Sequence, residues 1–343
     1  AILVVGVIAV LYSQFNNFKP VDNVQAKAEN LRYFADSYDQ AKLAFKEQAA
    51  KLTRSYPNAQ LMALTVPCPT DTGLTIDIFY LPQRNKSEKL LIMSSGVHGV
   101  EGHTGSAVQR VFMEKFITDS LLEQTGVLFI HAVNPYGFKY DRRVTENNVD
   151  MNRNSDVSEA LYNTVNEGYP QVFDLINPQK PLAYGSLENR FFFAKAIKEI
   201  AKKSMPVLRQ AVLQGQYQFP KALYFGGKQA EPQINLLKPV FDSICAPYQT
   251  VAHFDIHTGF GTRGAMHLFP NPKQGKVRER MEELFNGYQI DWGDSGDFYT
   301  VTGDFVNFVN QVNSDKVFIP MTLEFGTMNS KTTKLHAQSH RPW

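Results

Sequence analysis

His98 and Glu101 stand three residues apart in GVHGVEGHTG (96–105), just past an apolar run. At that spacing an imidazole and a carboxylate can turn toward one cation from a loop or a first helical turn. A catalytic zinc site takes three protein ligands and keeps a fourth position open, so the pair is at most part of one. The same stretch also reads as a glycine-rich turn whose polar residues face water. The missing ligand is expected to be a histidine. Among the eight in the chain, His257 is best placed, at the end of the strand-like AHFDIHTG with glycine following. His253, four residues back, shares its face but lies about 13 Å deeper, which suits a core or supporting residue. His103, His131, His267, His336 and His340 have no partner signature and read as structural or surface histidines.

Other polar groups are ambiguous alone. NNVDMNRN (147–154) reads as a turn whose Asn and Asp side chains cap backbone groups. Tyr299 alone reads as a core or interface aromatic. Glu324 differs, because a lone carboxylate inside the apolar MTLEFG is costly without a partner and therefore points to function. GDSG (293–296) copies the surroundings of a trypsin-like nucleophile, but those enzymes are β-barrels, and Ser295 is expected in a turn. No G-x-S-x-G elbow, P-loop or G-x-G-x-x-G follows a strand, so serine-hydrolase and nucleotide chemistry lack support.

The elements that must position these residues alternate in type. Residues 24–56 carry apolar side chains at helical spacing (Leu31, Phe34, Tyr38, Leu43, Phe45). Strands are predicted at 74–82, 89–96, 126–135, 250–259, 264–270 and 316–326. Helices are predicted from Gly105 to Ser120 and over 187–216, the latter interrupted at Pro206. Several of the strand segments are almost wholly apolar, as expected of strands covered on both faces. This pattern predicts one α/β domain, residues 21–343, with a mixed, mostly parallel central sheet flanked by helices. Sites in such sheets gather where loops leave the carboxyl ends of the strands.

Composition supports a large core, with 43% hydrophobic and 20% charged residues in 343. A net charge of +2 without like-charge blocks argues against a nucleic-acid partner. Cys68 and Cys245 belong to no paired motif and read as two buried thiols, with one disulfide as the alternative, which leaves out cysteine-ligated zinc. The hydrophobic segment within residues 1–20, AILVVGVIAVLY, has the length of a signal-peptide core. It predicts export to the periplasm or exterior, with or without a membrane anchor; a buried strand or core helix is the alternative.

In order along the chain stand His-x-x-Glu, NPYG (134–137), RRVTENNVDMNRN (142–154), a strand-end His, FYTVTGD (298–304) and TLEFG (322–326). This series resembles the zinc carboxypeptidase (metallocarboxypeptidase) superfamily over about residues 75–327. SGVHGVEGHTGSA together with GQYQFPKALYFGG (215–227) is similar to a bacterial branch of it catalogued as a domain of unknown function. The resemblance implies a zinc carboxypeptidase-like fold and one Zn2+ held by His98, Glu101 and His257. It implies that Asp150 holds His98, and that Asn152 and Arg153 grip the free carboxylate of the substrate. Arg143 would stabilise the oxyanion, with neighbouring Arg142 as the alternative; Tyr299 would close over substrate, and Glu324 would be the general base.

The chemistry is coherent on its own terms. Zinc lowers the pKa of water from 15.7 to about 7, and a carboxylate can move the proton to a leaving amine. A guanidinium matches a carboxylate with two parallel hydrogen bonds. The implied activity is hydrolysis of an amide bond beside a free carboxylate, first as a metallocarboxypeptidase acting on peptides. An N-acyl amino acid deacylase is the alternative, followed by a non-catalytic zinc-containing binding module, which would need neither Glu324 nor Arg143. The apolar DFVNFV around Val306 points weakly to an uncharged substrate side chain. The end of the chain, NSKTTKLHAQSHRPW, looks too polar for the helix with which that superfamily closes.

Overall fold

Among the described residues, seven strands form one sheet in the order β1-β2-β4-β3-β5-β7-β6. The computed structural model describes residues 27–85, 88–179, 192–261, 264–270, 276–288, 290–292 and 301–327. The N-terminal apolar run, GDSG, Tyr299 and the polar end of the chain lie outside them. The strands are β1 (Gln60–Thr65), β2 (Thr75–Leu81), β3 (Lys89–Ser95), β4 (Thr125–His131), β5 (Thr250–Thr258), β6 (Met266–Phe269) and β7 (Val317–Phe325). The four central strands β4, β3, β5 and β7 run parallel. Outside them, β2 and β6 pair antiparallel with β4 and β7, and β1 pairs antiparallel with β2.

Apolar runs place the sheet between two core layers. Along β2, Ile76, Ile78 and Tyr80 join one cluster while Phe79 and Leu81 join the other, the period-two alternation of a strand covered on both faces. Strand β1 was not among the predicted strands. It is an edge strand with no fully buried residue, and QLMALT has little of the β-branched or aromatic content that marks central strands.

The helix Tyr38–Ser55 starts where Ser37 accepts a hydrogen bond from the Gln40 amide. It buries Tyr38, Ala41, Phe45 and Ala49, a face built half from alanine. Leu31, Phe34 and Leu43, expected on that face, are exposed instead. The predicted break at Pro206 occurs at Ser204, φ +67, between helices Phe192–Lys203 and Met205–Leu213. Proline is at home in a helix's first turn, so the break precedes it. The helix Pro232–Cys245 was not foreseen, because Pro232 and the internal Pro239 read as breakers.

Val306 also needs correcting: with Phe305, Phe308 and Val309 it forms the buried face of helix Phe305–Val312, so this segment is core and not substrate pocket. Cys68 and Cys245 are buried, unpaired thiols. Among the described residues no helix is long and apolar enough to cross a membrane.

Candidate metal centre

Strands β3 and β5 are parallel neighbours, with Ser95 opposite Ile256. The chain leaving β3 turns at Gly96, φ +66, and reaches His98 three residues past the strand end. Gly99 then passes so close to Gly137 and Phe138 that an added Cβ would lie 2.1 Å from backbone. Only glycine fits there, and that contact fixes the bend carrying His98 and Glu101 over the sheet. The amides of Gly99 and Val100 donate to the carbonyls of Arg143 and Arg142, tying this bend to the 142–154 loop.

His98, Glu101 and His257 come together as the predicted trio, with one donor atom from each within 4.8 Å of the others. Nδ1 of His98 lies 2.9 Å from Glu101 Oε1, Nδ1 of His257 lies 3.0 Å from Oε2, and the two Nδ1 atoms are 3.1 Å apart. Ligands on a tetrahedral zinc with bonds near 2.1 Å would stand about 3.4 Å from one another. The residues therefore fit the ion once they part by a few tenths of an ångström. Two imidazoles and one carboxylate are also the donor set of catalytic zinc. The Thr258 amide donates to Glu101 Oε2 at 3.0 Å and holds that carboxylate in place.

The far nitrogen of each imidazole faces a fully buried aspartate. His257 Nε2 is 2.6 Å from Asp255 Oδ2, and Asp255 Oδ1 accepts from Ser94 Oγ at 2.6 Å. Ser94 Oγ also lies 2.7 Å from His253 Nε2, so His253 is the supporting residue its depth suggested. His98 Nε2 is 3.4 Å from Asp150 Oδ1, an ion-pair approach without hydrogen-bond alignment. Asp150 is held better by Arg143, whose Nε donates to Oδ2 at 2.9 Å, and by the Asn152 amide. Asp255 was missed at the level of sequence. Its signal was the alternation His-x-Asp-x-His on one face of β5.

Charge is concentrated here. Burial pushes the Glu101 carboxyl up, but His98 and His257 together outweigh it and hold the group well below the usual carboxylate range. Burial likewise opposes ionisation of Asp150, and Arg143 and His98 overcome it. Burial disfavours protonated His257, yet Asp255 and Glu101 raise its pKa well above the ordinary value. Glu324 pairs directly with His257 across β5 and β7. Its Oε2 is buried without a hydrogen-bond partner among the described residues. Desolvation and the charge of Glu101 lift its pKa to about 7.

Between the two candidate arginines, Arg142 is exposed while Arg143 turns inward, its side chain 29% exposed. Arg153 is engaged within the protein. Its side chain is buried, with Nε and Nη2 donating to the Leu213 carbonyl at 3.1 and 2.6 Å and Nη1 to the Asn152 carbonyl at 2.8 Å. The Asn152 side-chain oxygen accepts from the Phe305 amide at 2.9 Å. Three of the Arg153 N–H groups and the Asn152 side-chain oxygen are thus bound to backbone. Gly215 and Tyr224, from the 215–227 segment, pack against the Arg153 side chain and close it off. His103, His131 and His267 face other partners, respectively Ala35 and Asp141, Ser106, and Asp291.

Residues 34–341 match the profile of a family described as a protein of unknown function, DUF2817, and the chain belongs to that family. No curated protein matches it. Among solved structures it shares its fold with thrombin activatable fibrinolysis inhibitor, at 12% identity and a TM-score of 0.50 over 93% of this chain and 72% of that one. The carboxypeptidase A of Helicoverpa armigera is 11% identical, with a TM-score of 0.47 over 84% of this chain; the chain spans 64% of that protein's length. An aspartoacylase family protein from Mesorhizobium loti is 14% identical, with a TM-score of 0.41, covering 82% of this chain and 65% of that one. At these identities the likeness shows a shared, carboxypeptidase-like fold.

Proposed function

We propose that this member of the DUF2817 family is a zinc-dependent hydrolase that cleaves an amide bond beside a free carboxylate, acting as a metallocarboxypeptidase on peptides. The observation that carries this reading is the convergence of His98, Glu101 and His257 at the carboxyl ends of β3 and β5, with Glu324 opposite His257 on β7. His98 Nδ1, His257 Nδ1 and the Glu101 carboxylate would hold the ion. A bound zinc supplies a Lewis acid and makes water ionise near neutral pH.

The chain's own groups account for the remaining chemistry. Glu324, with an open Oε2 and a proton affinity near neutrality, takes the proton of the attacking water and delivers it to the leaving amine. Arg143 is anchored through Nε to Asp150, which leaves its two Nη groups to face developing negative charge or a substrate carboxylate. Asp150 and Asp255 orient the two imidazoles from behind. Arg153 and Asn152 support this geometry from beneath, while closure by Tyr299 belongs to the proposal on sequence resemblance alone. Export, with or without an N-terminal anchor, rests on the apolar run AILVVGVIAVLY.

The test is a panel of peptides and N-acyl amino acids given to zinc-loaded protein, with products identified by mass spectrometry. Peptides shortened one residue at a time from the carboxyl end, with activity lost to a chelator and restored by zinc, are expected. Turnover of N-acyl amino acids alone would make the protein a deacylase. Zinc binding without hydrolysis of any member would make it a binding module.

A further inference from the structure

Tyr224 lies in GQYQFPKALYFGG, a segment the hydrolytic chemistry above does not use. It is one of four non-glycine residues with positive φ among the described residues, at +56, and its side chain is buried. A bulky aromatic residue in the left-handed region is strained and persists only where its surroundings hold it there. The surroundings are specific. Its carbonyl accepts from the Gln216 amide at 3.0 Å, and the next carbonyl, of Phe225, accepts from the Asp150 amide at 2.8 Å. The turned backbone thus ties this segment to the aspartate that anchors Arg143.

The ring completes the connection. The guanidinium carbon of Arg143 lies 5.3 Å from its centroid and that of Arg153 lies 5.6 Å away. Arg153 is immobilised by three bonds to carbonyls. For Arg143 a single bond from Nε holds the guanidinium to Asp150, which leaves the plane free to swing about that contact unless a second surface fixes it. An aromatic face within about 6 Å attracts a guanidinium and supplies such a surface.

We infer that Tyr224 is a positioning residue, whose ring, set against the fixed Arg153, holds the Arg143 guanidinium in the orientation that meets negative charge on the substrate. The inference rests on the role of Arg143 proposed above, and two readouts separate the two. The first needs no substrate: labelling of zinc-loaded protein with phenylglyoxal, quantified by mass spectrometry as the ratio of Arg143 to the exposed neighbour Arg142. The second is kcat and KM for whichever peptide or N-acyl amino acid the wild type turns over fastest.

Tyr224→Asn keeps a residue tolerant of positive φ and removes the ring. It should raise the Arg143 labelling ratio several-fold and lower kcat about tenfold, with a smaller change in KM and with zinc content and Tm retained. Tyr224→Phe, which keeps the ring, should restore both readouts. An unchanged labelling ratio and kcat in the Asn variant, or a Phe variant as impaired as the Asn one, overturns the inference. If Tyr224→Asn does not fold, Tyr224→Gly, free of strain at that φ, takes its place. Failure of both to fold would make the ring a core element and end the proposal. A wild type that hydrolyses nothing would sink the proposed function and leave the labelling ratio to judge this inference.

Discussion

Glu324 is the residue on which the proposed chemistry can be tested most directly. The residue as a whole is partly buried while its Oε2 is fully enclosed, and it is the enclosed atom that would exchange the proton. Glu324→Gln keeps the shape and removes the basic oxygen. Hydrolysis should fall by about 10²–10⁴-fold, with zinc content by metal analysis unchanged. The base must be ionised, so activity should rise with pH. Desolvation and Glu101 raise its pKa to about 7, and a cation beside it lowers that value. The acid limb of kcat/KM should therefore fall at or below about pH 7 and vanish in the Gln variant. Arg153 yields a different expectation. Arg153→Ala leaves the carbonyls of Leu213 and Asn152 unpaired in the interior, which should cost about 3 kcal/mol or more in urea unfolding. Because its guanidinium is buried and bound to those carbonyls, free and amidated peptides should lose turnover equally. Selective loss on the free acids would restore Arg153 to the carboxylate grip.

At the scale of elements, β5 carries most of the construction. Its inward face presents His253, Asp255 and His257 in succession, linked through Ser94 of β3. Asp255→Asn should weaken zinc affinity by about 10–100-fold in competition with a chromophoric chelator, since the carboxylate behind a ligand histidine fixes its orientation and basicity. Unchanged affinity would make Asp255 a packing residue. Most central strands were legible because strands covered on both faces are nearly continuous apolar runs, and His98 and His257 were legible because one stands just past such a run and the other at a strand end with glycine after it. The edge strand β1 was not, because QLMALT has little of the β-branched or aromatic content that marks a strand. The burial of Arg153 was also beyond reach. Nothing local in VDMNRN says that residues 213–226, some sixty positions away, fold over its side chain. The choice between Arg142 and Arg143 was decided in the same way, by which side chain the loop turns inward.

For the molecule as a whole, the site exists only when β3, β5 and β7 pair in parallel, because its residues come from positions 98 to 324. Folding therefore gathers charges that the ion is expected to compensate, and removing metal should expose the cost. In metal-free protein Glu324 has a folded pKa of about 7 against an ordinary 4.5, so the folded state holds that proton more tightly than the unfolded chain. Its contribution is fully present below about pH 4.5 and is lost as pH rises through 7. His257, also raised by its carboxylate neighbours, acts in the same direction at higher pH. A zinc ion held by His257 would take the place of that proton and supply its own charge. Chelator-stripped wild type should thus lose stability between pH 5 and pH 7.5, by on the order of 1 kcal/mol from Glu324 alone. Glu324→Gln carries no titrating group there, so in its stripped form it should match wild type at pH 5 and exceed it at pH 7.5. Zinc-loaded wild type should show a smaller decline than the stripped protein. Urea midpoints at the two pH values, with and without metal, make the comparison, and an identical decline in stripped wild type and the Gln variant would mean that Glu324 is not held protonated by its surroundings.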